Sequence, residues 1–97
     1  MRLHQNLQRR LTDVRAEITR QREALRILDE QIAYQADVAA DAETRALVAG
    51  TPLADRERRT AADDLRRVQR QRDEVAARVS ELLREQDDLL ERLLRRS

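Results

Sequence analysis

The chain has 97 residues, among them 20 arginines, no lysine, 10 aspartates and 9 glutamates, so 40% of it is charged while the net charge is only +1. One glycine, one proline, one tyrosine and no cysteine, tryptophan or phenylalanine leave too little aromatic and turn chemistry for a sheet-based core, and remove disulfides and thiolate metal sites. The lone histidine, His4, has no local partners for a zinc site, and no run of about 18 apolar residues is present to span a membrane, so a soluble, cytoplasmic, all-α protein without cofactors is expected.

A first helix is predicted over about 3–47. Apolar residues there step by three and four, and setting His4, Leu11, Ile18, Leu25, Ile32, Ala39 and Ala46 as a places Leu7, Val14, Gln21, Leu28, Gln35 and Ala42 at d of a heptad seam. The pattern stops within 47–53, where the only glycine, Gly50, suits a helix C-cap, Thr51 an N-cap and the only proline, Pro52, a first helical position. A second helix is predicted over about 52–96, with Arg58, Leu65, Arg72, Val79, Gln86 and Leu93 at a and Ala54, Ala61, Val68, Val75, Leu82, Leu89 and Arg96 at d. At ~1.5 Å per residue each helix would be roughly 65 to 70 Å long, which makes a rod once the chain folds back at Gly50.

One register joins the two seams. In an antiparallel pair the residue numbers of facing layers have a constant sum, and a sum of 100 matches Ala46 with Ala54, Ile32 with Val68, Leu25 with Val75, Ile18 with Leu82, Leu11 with Leu89 and Leu7 with Leu93 without a stutter. Charge favours the same pairing. Residues 27–44 hold Asp29, Glu30, Asp37, Asp41 and Glu43 and no arginine, while the facing 56–73 stretch holds Arg56, Arg58, Arg59, Arg66, Arg67, Arg70 and Arg72, so these arginines are expected to pair across the hairpin. The predicted fold is therefore a single domain over 1–97, an antiparallel two-helix coiled-coil hairpin.

Four polar residues fall on the seam opposite aliphatic ones: Gln21, Gln35, Arg72 and Gln86. They either reach the open side of a two-helix seam or meet equivalents across a second hairpin and fix its register. Apolar residues outside the seam also ask for a partner. Ala62, Ala76, Leu83 and Leu90 fall at e and Leu94 at b, so Leu82, Leu83, Leu89, Leu90, Leu93 and Leu94 form a band wider than one helix covers, and they are the candidate oligomer interface. Ala24, Ile27, Tyr34 and Val38 lie on the opposite flank of the first helix. A lone hairpin buries one stripe per helix against the ordering entropy of a long chain. Dimerisation into a four-helix assembly is expected for that reason.

No catalytic constellation is legible. Thr12, Thr19, Thr44, Thr51, Thr60, Ser80 and Ser97 have no general base beside them, Gly50-Thr51-Pro52 lacks the second glycine and lysine of a phosphate loop, and adjacent acids such as Asp63 and Asp64 diverge by about 100° around a helix. The open end gathers Arg2, Arg9, Arg10, Arg92, Arg95 and Arg96 against Asp88 and Glu91, a candidate anion-binding pole. Without aromatic residues for base stacking, nucleic-acid binding there would be weak.

In length, and in carrying Val48-Ala49-Gly50 where that family has its Trp-x-Gly turn, the chain resembles the WXG100-type secreted helical hairpins, although it has no tryptophan and no tyrosine-containing signal in Glu91–Ser97. With Asp41, Glu43, Asp55 and Glu57 near the turn it is also similar to the coiled-coil arms of transcription factors that enter the RNA polymerase secondary channel, without a following docking domain. Both likenesses are of shape more than motif. The expected function is that of a non-enzymatic structural or adaptor protein acting through homo-oligomerisation, as a dimer, and contact with another protein. The alternatives are a small nucleic-acid-associated or transcription regulator using the arginine-rich end, and a WXG100-like secreted hairpin.

Overall fold

The computed structural model describes residues 2–95, which form two helices, α1 over Arg2–Ala49 and α2 over Pro52–Arg95. Both are built from good helix formers, with leucine, alanine, arginine, glutamate and glutamine dominating and no glycine or proline inside except Pro52 at the start of α2. Three threonines within α1 do not interrupt it, because Thr12, Thr19 and Thr44 turn their hydroxyls back onto the carbonyls of Gln8, Arg15 and Ala40.

The break between the helices is chemically specified. Gly50 adopts φ 60°, the left-handed conformation that costs a side-chain-bearing residue most, and its N–H donates to the Ala46 carbonyl at 3.0 Å, closing α1. Thr51 then opens α2. Its side-chain hydroxyl accepts from the Ala54 N–H at 3.2 Å and its carbonyl accepts from the Asp55 N–H at 3.0 Å, while Pro52 occupies a position whose N–H would have no helical partner. α1 runs two residues beyond the expected 47, up to the glycine that stops it.

Two compact units make up the chain. The first combines Met1–Leu25 with Glu74–Ser97, and the second is Arg26–Asp73. In the first unit, Leu7, Val14 and Ile18 of α1 bury against Leu82 and Leu89 of α2, with Leu11, Leu83 and Leu93 packed around them. Early α1 meets late α2, so the segments run antiparallel. Arg10 of α1 reaches Glu85 of α2 at 2.5 Å on the flank of this core.

The second unit has a thinner core. Its buried residues are Ala42, Ala54, Ala61 and Val68, and Leu28, Ile32, Ala39, Ala46 and Leu65 are only half-buried. Five alanines at seam positions, Ala39, Ala42, Ala46, Ala54 and Ala61, fill less space than the leucines of the first unit, which leaves hollows beside them. One is lined by Val38, Ala42, Arg45, Arg56 and Ala61 among others, the next by Val48, Ala49, Leu53 and Ala54, and they are about 330 and 380 Å³ in volume.

Every described a and d position named above is buried or half-buried. Two of the polar seam residues turn their polar ends to acids beside the seam. Gln21 donates its amide to Glu17 Oε1 at 2.9 Å, one turn back on its own helix, and Arg72 leaves the seam to bond Asp29 Oδ1 at 3.0 Å. Gln35 and Gln86 are half-buried.

Of the arginines expected to pair across the hairpin, Arg72 does so. Arg58 and Arg59 instead take Asp55, Arg66 takes Asp63 and Arg67 takes Asp64, all on α2 itself. Asp37, Asp41 and Glu43 of α1 make no ion pair among the described residues. The reason is geometric: a carboxylate three or four residues away sits on the same helix face, whereas crossing requires a position on or beside the seam. Arg66 and Arg67 point away from it.

Candidate protein-interaction surfaces

The six leucines near the end of α2 divide into two groups. Leu82 and Leu89, at 2% and 1% exposure, are consumed by the core between α1 and α2. Leu93 is half-buried beside them. Leu83 and Leu90, both at e, are half-covered, and Leu94 is 74% exposed. What remains available to a partner is thus a narrower apolar strip of Leu83, Leu90 and Leu94, continued along the e row by half-buried Ala76. Leu3, at the start of α1, is also exposed.

The arginines of the open end are largely engaged by acids. Arg10 holds Glu85, Arg92 Nη1 lies 3.7 Å from Asp88 Oδ2, and Arg95 Nη2 donates to Glu91 Oε1 at 2.5 Å. Glu91 thereby raises the already high pKa of the Arg95 guanidinium, first through that hydrogen bond and then through its charge. Arg2 and Arg9 are exposed with no acid partner among the described residues. Arg96 lies outside the described residues. The arginine set expected to bind anions is therefore split among the described residues, because Glu85 engages Arg10, and Asp88 and Glu91, one turn back, engage Arg92 and Arg95.

On the flank of the first unit, Arg10, Asp13, Glu17, Arg20, Arg78 and Glu85 surround a polar hollow. Glu17 is its most engaged group, accepting from Gln21 Nε2 at 2.9 Å and from Arg20, whose Nε lies 2.9 Å away. These bonds hold the Glu17 carboxyl below the usual carboxylate range, with Gln21 the largest influence and Arg20 next. Three acids and three arginines balance one another there, so the hollow presents no net charge to a ligand.

On the outer side of α1, Ile27 and Tyr34 of the flank named from the sequence are exposed, Tyr34 to 66%, and one further surface was missed there: around the turn, Leu47, Val48 and Leu53 are exposed, Val48 to 84%. Leu47 and Val48 follow the last seam alanine directly and read there as turn residues, although both belong to α1 and sit at b and c, off the seam. Among the described residues no group of three His, Asp or Glu side chains is placed to hold a metal ion, and no helix is long and apolar enough to cross a membrane. No protein-family model, curated protein or solved structure matches this chain.

Proposed function

We propose that the chain is a non-enzymatic coiled-coil protein with a structural or adaptor role, acting through homo-oligomerisation and through contact with another protein. The observation that carries this reading is the pairing of a sealed core in the first unit with apolar side chains it only partly covers: Leu82 and Leu89 are sealed, while half-covered Leu83 and Leu90 and exposed Leu94 form a strip along the adjoining face of α2. A second hairpin packing on that strip would complete a four-helix assembly, the usual way for helices to bury a stripe wider than one neighbour covers. Sedimentation of the purified chain tests it. The expected result is a dimer that becomes a monomer when Leu83→Glu and Leu90→Glu are combined; a wild-type chain that stays monomeric at high concentration would overturn it.

Nucleic-acid association is the second reading, favoured by Arg2 and Arg9, which no acid neutralises among the described residues. It ranks lower because Arg10, Arg92 and Arg95 at the same pole already have carboxylate partners.

A further inference from the structure

The outer side of α1 within the second unit carries its own heptad stripe. Ile27, Gln31, Tyr34, Val38, Asp41, Arg45 and Val48 follow one another at intervals of four and three, on the c and g positions, which are neighbours around a helix and run along one flank of the a and d seam. Ile27, Tyr34 and Val48 are exposed large apolar side chains, and Val38 is half-buried on the rim of the alanine-floored hollow. The next hollow, which shares Arg45 with the first, is lined by Val48 and Leu53.

Charge says what kind of helix fits there. Around the hollow, Arg45 and Arg56 are balanced by Glu57 and Asp64. Beside Tyr34, by contrast, Asp37 and Asp41 make no ion pair among the described residues, and residues 27–44 contain no arginine to neutralise them. A second copy of this chain would bring the same acids and in its own stripe the single arginine Arg45, beside the hollow, and the arginines on the outer side of α2, such as Arg59, Arg66 and Arg70, lie among no exposed apolar stripe. We infer that this face of α1 docks a basic amphipathic helix of a different protein, with apolar side chains on Ile27, Tyr34 and Val38 and lysine or arginine against Asp37 and Asp41. Helix-on-helix docking of this type reads apolar anchors at three and four residue spacing, while flanking charges choose the partner. The surface is separate from the leucine strip, so its test does not depend on self-association.

Tyr34 is the only aromatic residue in the chain and lies in the middle of the stripe, which makes its emission a reporter at the site. The probe is a synthetic helical peptide of about 20 residues with leucines at heptad spacing, lysine flanks and no aromatic residue, compared with a twin that carries glutamate flanks. The lysine peptide should change Tyr34 emission saturably and bind at least about tenfold more tightly than the glutamate peptide at low salt. Combining Asp37→Lys with Asp41→Lys should invert that preference, with helicity checked by circular dichroism. If the double variant loses helix, the salt dependence of the wild-type chain serves instead, since only the lysine peptide should weaken as salt rises. Equal affinity for both peptides, or binding that leaves Tyr34 emission unchanged, would overturn the inference. So would Tyr34 emission that shifts with protein concentration alone, which would mean that a second copy covers the face.

Discussion

Arg72 stands on the seam of α2 yet turns out of it to reach Asp29 on α1, donating from Nε to Oδ1 at 3.0 Å, with a further contact of 3.9 Å to Asp73. Both side chains of the crossing pair are more than a third exposed, so solvent screens it and its contribution is about 0.2–1 kcal/mol. Leucine at this position would place an aliphatic side chain in a half-buried seam site instead, and even partial burial of a leucine contributes about 1 kcal/mol or more. Arg72→Leu should therefore raise the melting temperature, while Asp29→Ala should lower it slightly, in thermal unfolding followed by circular dichroism at matched concentration. A clear loss of stability in Arg72→Leu would mean that the ion pair outweighs the packing it displaces.

The turn offers a second comparison, because two different physical effects meet at neighbouring residues. Thr51→Ala removes the hydroxyl that accepts from the Ala54 N–H and should cost about 1 kcal/mol. Gly50→Ala meets no atom within 4 Å of the added Cβ, so its whole penalty is the left-handed backbone, about 1–2 kcal/mol. Gly50→Asn should cost less than Gly50→Ala, since asparagine tolerates that conformation better. Urea unfolding of the three variants checks the order; equal stability of Gly50→Ala and the parent would mean that the backbone there relaxes.

Those same residues show how unevenly the sequence encodes this protein. Gly50, Thr51 and Pro52 were legible because each supplies a conformational property that no other residue nearby supplies, and the seam was legible because burial forces a period on residues such as Leu7, Ile18 and Leu82. Ion pairing was not. Arg66 and Arg67 point away from the seam and have acids three residues back on the same face, so counting charges over 27–44 and 56–73 overstated the crossing pairs. The leucine strip was half legible: periodicity finds Leu83 and Leu90 outside the seam, but only packing shows that Leu82 and Leu89 are already sealed. Exposure of Leu47, Val48 and Leu53 went unread because a stop signal at Gly50 makes apolar residues beside it look like part of the turn.

Glu17 provides a prediction in pH. Its carboxyl is held below the usual value near ~4.3 by the Gln21 amide and then by Arg20. A group whose pKa is depressed on folding adds stability above its unfolded pKa and loses it as pH falls through its folded pKa. The contribution from Glu17 is therefore complete at neutral pH and disappears below the usual glutamate range. Gln21→Ala or Arg20→Ala should move the Glu17 pKa upward in a side-chain NMR titration, so that its contribution to stability is smaller and its loss is complete at a higher pH. No upward shift in either variant would show that these bonds do not persist in solution.

The arginine-rich pole can be judged by the steepness of its salt response. Each phosphate neutralised on duplex DNA contributes about −0.9 to the slope of log K against log salt, so six engaged arginines would give about −5.4 and two about −1.8. Arg10, Arg92 and Arg95 would first have to leave Glu85, Asp88 and Glu91, whereas Arg2 and Arg9 have no acid to leave among the described residues. The shallow slope is the expected one, with weak binding seen only at low salt and removed by combining Arg2→Gln with Arg9→Gln. Electrophoretic mobility shifts over a salt series measure both quantities. A slope near the steeper value would mean that phosphate displaces the carboxylates and that the pole acts as a unit. Binding that survives the double substitution would place the contact elsewhere on the chain.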